Sequence, residues 1–164
     1  MYRPVLKRTH PRLPDPGEPG AFGSVRKHDI HTGIDIYCDD GSYVFAIEEG
    51  RVVALEKFTG EHADSPWWNN TWALLVEGKS GVIVYGEIIP RWHITTPGMY
   101  IGHGEMIGQV KRVLKEDKGV TPTSMLHFEL LKSGTTATGW WHHGETQPEY
   151  MLDPTALLKE CYGN

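Results

Sequence analysis

The chain has 164 residues, about one domain with a single core by the length prior. Sixteen Lys and Arg against twenty-one Asp and Glu leave a net charge of -5, so no overall positive field gathers phosphates and nucleic acid is excluded as the expected partner. Nineteen Gly and eleven Pro, nearly one residue in five, imply many turns and exclude a helical bundle.

Residues 1–21 hold five of the eleven prolines and no periodic apolar pattern, which reads as an extended arm, flexible or strapped across a domain spanning 22–164. The opening MYRPVLKRTH lacks the apolar segment of a secretory signal, and no later run approaches the ~18 apolar residues of a membrane span. The default expectation is therefore a cytoplasmic chain with no membrane span. From Phe22 the texture changes to short β-rich runs, GIDIY, YVFAI, RVVALEKF, WALLVEG, GVIVYGEII, MIGQV and MLHFELL, separated by turns such as Asp40-Gly41 and Glu49-Gly50. KRVLKEDK, 111–118, stays open between helix and loop. In DPTALLKE, Asp153 as N-cap and Pro154 at the first helical position predict a short C-terminal helix. The expected class is all-β, an antiparallel sandwich or barrel-like sheet closed by that helix. Cys38 and Cys161 match no zinc-knuckle spacing and read as free thiols.

Nine histidines are many for this length, and histidine is the commonest metal ligand. His31 and Asp35 stand four apart in HTGID. A straight strand would separate them by about 13 Å, too far to share one ion. Gly33 supplies the bend that brings them together, and the β-branched Thr32, Ile34 and Ile36 argue against a helix. In MLHFELL, Leu126, Phe128 and Leu130 alternate with Met125, His127 and Glu129, which predicts a core face and an outward face carrying His127. Two histidines and a carboxylate with a fourth position open is a donor set suited to catalytic zinc.

Phe22, Gly23, Arg26, His31, Gly33 and Asp35 resemble, in order and spacing, the first motif of the lysostaphin and LytM-type zinc metallopeptidases, family M23. The resemblance continues through Gly41, Val44, Ala46, Gly50 and Val52, through the Gly104–Gly108 turn, and into Met125, His127, Phe128 and Glu129. It implies an antiparallel β fold with a groove, Zn²⁺ held by His31, Asp35 and His127, and a peptide or peptidoglycan cross-link as ligand. Two positions depart from the pattern. Met125 stands where the family has the first histidine of H-x-H, and Glu87 where it has the histidine of Y-x-H-L.

Methionine transfers no proton, whereas Glu87 is able to act as general base toward water at the zinc. Tyr85, Glu129, His142 and His143 are further candidates around the site or its groove, the last two as replacements for a lost histidine. Trp67, Trp68, Trp92, Trp140 and Trp141 lie between the runs, and the preferred reading is that they cover the open ends of the core. Two functions remain: a zinc-dependent hydrolase of peptide amides with Glu87 as base, or an inactive zinc-binding module that uses the same groove for recognition.

Overall fold

The computed structural model describes residues 1–94, 96–116 and 124–163. Among these residues nine strands form one antiparallel sheet: β1 (Ile34–Tyr37), β2 (Tyr43–Phe45), β3 (Gly50–Thr59), β4 (Thr71–Gly78), β5 (Gly81–Pro90), β6 (Tyr100–Ile101), β7 (Met106–Val110), β8 (Met125–Leu131) and β9 (Met151–Leu152). All seven runs read as strands are strands. The main path runs β1-β8-β5-β4-β3-β6 without closing, so the all-β antiparallel expectation holds but the sheet is not a barrel. Of the open segment, 111–116 are irregular, tied to the β3–β4 loop by a Leu114–Trp68 bridge, while 117 and 118 lie outside the described residues.

The C-terminal helix α1 spans Thr155–Tyr162, starting one residue later than predicted because Pro154 takes the capping position. Asp153 still accepts the Thr155 N–H at 2.9 Å. Leu158, Cys161 and Tyr162 pack the helix against the core. Cys38 and Cys161 are free and buried, and burial pushes both thiols up to about 11, far from thiolate chemistry at neutral pH.

The 1–21 arm is strapped. Tyr2 N–H donates to Ile47 O, Phe45 N–H to Pro4 O and Thr9 N–H to Tyr37 O, while Val5 and Leu13 enter the core.

One sheet face carries the main core, with Ile34 and Ile36 of β1, Ile83, Tyr85 and Ile88 of β5, and Leu126 and Phe128 of β8. The opposite face of the same strands carries Val82, Val84 and Leu131, covered by Trp141, Phe22 and Ile30. Residues 83 and 85 share a face with 88, which strict alternation forbids. The parity breaks at a β-bulge: Gly86 pairs with Ala73 and Ile88 with Trp72, leaving Glu87 as the extra residue. Glu87 has φ +62, left-handed and uncommon for a side-chain-bearing residue. The sheet forks there. On the edge away from β4, β5 pairs with β8 through Gly86 and with β7 from Ile88 onward.

Candidate metal centre

Asp35 of β1, His127 of β8 and Gly86 of β5 are Cα partners on one rung of the sheet. Asp35 and His127 point away from the main core. His31 precedes β1, and the chain bends at Gly33 as expected. Gly33 is required by a close approach: a Cβ there would lie 2.4 Å from Phe128 O. Gly86 leaves room for an imidazole, since its Cβ would sit 3.2 Å from His127 Cδ2 and 3.3 Å from Phe58.

Three donor atoms converge. His31 Nε2 lies 3.2 Å from His127 Nδ1 and 3.1 Å from Asp35 Oδ1, and His127 Nδ1 lies 3.2 Å from the same oxygen. All three residues are buried. Four-coordinate tetrahedral zinc with bonds of 2.0–2.1 Å has ligand atoms about 3.3 Å apart, so the triangle is one face of that tetrahedron to within about 0.2 Å.

The surrounding hydrogen bonds decide the protonation of this triangle. His31 Nδ1 contacts Ala21 O at 3.0 Å, and a carbonyl only accepts, so the proton sits on Nδ1 and Nε2 is left as a lone pair in the neutral ring. His127 Nε2 donates to Glu129 Oε1 at 2.7 Å, leaving Nδ1 unprotonated in the same way. Two imidazole lone pairs and a carboxylate oxygen therefore face one another with no hydrogen between them. Such a group needs a proton or a cation at its centre. Without metal, burial disfavours the His127 imidazolium, but hydrogen bonds to Asp35 and Glu129 overcome it and raise the group to about 10. Burial likewise opposes the Asp35 charge, and the two imidazoles still hold its carboxyl below the usual range.

The supports extend outward. Arg26 donates to Asp35 Oδ2 at 2.7 Å, leaving Oδ1 for the triangle, and to Pro19 O at 2.9 Å. Thr32 Oγ1 donates to Glu129 Oε1 at 2.7 Å. The proline-rich arm supplies Ala21 O for His31 and Gly20 O for the Asp35 amide. No side-chain pattern announces these carbonyls, and sequence reasoning missed them.

Glu87 comes to the cluster by way of the bulge. Its carboxylate lies within electrostatic reach of Asp35, His127 and Arg26, and its buried Oε2 has no hydrogen-bond partner. Burial first, then the Asp35 charge, raise it to about 7 against the pull of His127 and Arg26. Glu129 also joins the cluster, buried rather than outward as alternation predicted, because the Thr32-Gly33 segment lies against it.

Tyr85 does not join. It lies fully buried on the opposite face, its ring 5.8 Å from Phe128 and its hydroxyl accepting the Ile47 N–H, so its place around the site is corrected to one in the core. His142 is exposed and stacks on Trp140, outside the cluster. His143 is one step removed, its Nε2 donating to Arg26 O and Asp29 O and bracing the turn that carries Arg26. Trp67, Trp68, Trp92 and Trp140 are exposed, and Trp141 alone of the five covers the core as expected.

An open antiparallel sheet presenting a buried His-Asp-His triangle on one face defines a metallopeptidase-like domain. The model of peptidase family M23 matches residues 29–138, and the chain belongs to that family. A comparison with curated proteins gives no match. Among solved structures the chain is similar to Helicobacter pylori Csd3, with 17% identity, a TM-score of 0.53, and coverage of 99% of this chain and 40% of that one. It is also similar to lysostaphin, with 20% identity, a TM-score of 0.48 and coverage of 80% and 44%. A zinc-containing peptidase from Vibrio cholerae matches with 22% identity, a TM-score of 0.49 and coverage of 77% and 35%. The chain thus spans less than half the length of each of these proteins, and the likeness to Csd3 is one of fold.

Proposed function

We propose that the chain is a zinc-dependent hydrolase of peptide amides, with His31, Asp35 and His127 holding the metal and Glu87 as general base. The observation that carries this reading is the Glu87 side chain at the β5 bulge, its buried Oε2 without a hydrogen-bond partner and its carboxyl within electrostatic reach of Asp35 and His127. Zinc bound there supplies Lewis-acid polarisation of water and of an amide carbonyl. The chain's own residues do the rest. Glu129 and Ala21 O fix the tautomers of the two histidines, and Arg26 holds Asp35 so that one oxygen stays free. Glu87 accepts the proton of the attacking water, since its buried Oε2 is engaged in no hydrogen bond. The proton then passes to the leaving amine. Family membership supports a peptide or peptidoglycan cross-link as substrate.

The test is hydrolysis of glycyl and D-alanyl peptides and of purified peptidoglycan by zinc-loaded protein. Activity lost to a chelator and restored by zinc is the expected result. Stoichiometric zinc with no cleavage of any of these would turn the reading to a recognition module.

Glu129→Gln replaces the charged acceptor of His127 by a neutral amide. Zinc affinity should fall about tenfold or more in a competition titration, with the fold retained. Unchanged affinity would separate Glu129 from the centre.

A further inference from the structure

We propose that Glu18 is a positioning residue for the metal centre: with Arg12 it latches the turn whose successive carbonyls hold Arg26, Asp35 and His31 in place. The inference rests on the reading of His31, Asp35 and His127 as metal ligands.

The stretch DPGEPGA in the proline-rich arm folds as two β-turns that share Glu18. Pro16 and Pro19 preset the first central position of each turn, and Gly17, at φ +92, takes the left-handed second position of the first. The Glu18 N–H donates to Asp15 O at 3.0 Å and closes that turn, and the Ala21 N–H donates to Glu18 O at 2.9 Å and closes the next. The second turn directs three consecutive carbonyls at the supports of the centre. Pro19 O accepts from Arg26 Nη2 at 2.9 Å, Gly20 O from the Asp35 N–H at 2.9 Å, and Ala21 O from His31 Nδ1 at 3.0 Å. Because Arg26 in turn grips Asp35 Oδ2, two of the three ligands take their orientation from this one turn.

Glu18 fixes the turn from both its ends. Its carboxylate receives Arg12 through two parallel bonds, Nη1 to Oε2 at 2.8 Å and Nη2 to Oε1 at 2.9 Å, and Oε2 also accepts the Asp15 N–H at 2.6 Å. Asp15 adds an ion pair to Arg12 Nη1 at 3.0 Å. The main-chain oxygen of Glu18 accepts the Ser24 hydroxyl as well as the Ala21 N–H. An isolated surface ion pair adds little to stability, whereas a bidentate pair set in a network fixes geometry. Both side chains lie at the surface, and neither hydrogen-bonds to His31, Asp35 or His127. Their effect on the ligands therefore passes through the turn. Removing them slackens the three carbonyls without opening a cavity in the core.

The experiment is a zinc competition titration of the full chain. Glu18→Ala and Arg12→Ala should each weaken zinc about tenfold, as loss of a group that orients a ligand does, and the double variant should be no weaker than either single one. Melting temperatures of the metal-free variants should stay near that of the wild type. Glu149→Ala removes another exposed ion pair, to Lys132 at 3.1 Å, and should leave zinc affinity unchanged. A second readout needs neither zinc nor hydrolysis. In the metal-free ¹⁵N-labelled chain, the His31 Nδ1 proton should exchange with water faster in Glu18→Ala than in the wild type. Unchanged zinc affinity in both variants, losses that add in the double variant, zinc lost only together with the fold, or an unchanged exchange rate at His31 would each overturn the proposal. A wild type that takes up no zinc would instead overturn the reading of the triangle as a metal site, and the His31 exchange rate would still decide the role of Glu18.

Discussion

Glu87→Gln is expected to leave zinc bound and to lower peptide hydrolysis by about a hundredfold or more, read as kcat on zinc-loaded protein. Glutamine preserves size and hydrogen bonding but accepts no proton, so it separates binding from chemistry. The bulge holds position 87 by backbone pairing on both flanks, Gly86 with Ala73 and Ile88 with Trp72, so the substitution should not move the cluster. Full activity in the variant would remove Glu87 from the mechanism. Full zinc content in both proteins is the control that excludes a lost metal. Glu87→His with Met125→His introduces two imidazoles at the positions the resemblance singles out. That variant should also hydrolyse, and with a pH profile governed by histidine rather than by a buried carboxyl.

His31→Ala, Asp35→Ala and His127→Ala should each abolish stoichiometric zinc binding, measured as metal content after dialysis. Each removes one corner of a triangle whose remaining two donors cannot define a tetrahedral face. The metal-free His127 imidazole, raised to about 10 by Asp35 and Glu129 against burial, is protonated at neutral pH. Zinc must displace that proton. Affinity in the wild type should therefore rise with pH, roughly tenfold per unit for each proton released, and fall as pH drops. Equal affinity at pH 6 and pH 8 would contradict a proton held on His127 in the metal-free centre.

Much of this was legible in the sequence because it is local. The seven longer strands announce themselves by apolar or alternating runs between turns, and His31, Gly33 and Asp35 by their spacing and the bend it requires. β6 and β9, with two residues each, are too short to show a period. Tyr85 was misplaced for a specific reason. It stands two residues before Glu87, and a regular strand would put both on one face, but the bulge turns Glu87 to the metal side and leaves Tyr85 in the core. A signal was present in the parity of Tyr85 and Ile88, masked because β5 is apolar on both faces. The Ala21 and Gly20 carbonyls were invisible because main-chain acceptors carry no sequence signature.

The bulge also bears on how this position trades stability against use. A side-chain-bearing residue at φ +62 is held at an expense of about 1 kcal/mol or more, and Asn or Gly would sit there with less strain. A buried carboxylate oxygen without a hydrogen-bond partner adds to that burden. On folding stability alone, Glu87→Gly should therefore be neutral or stabilising in a thermal melt. Because the bulged residue stands outside the ladder, its chemistry can be exchanged without repacking either sheet face. Position 87 is thus a socket, where the fold tolerates a change of side chain that it would not tolerate at the paired positions on either side.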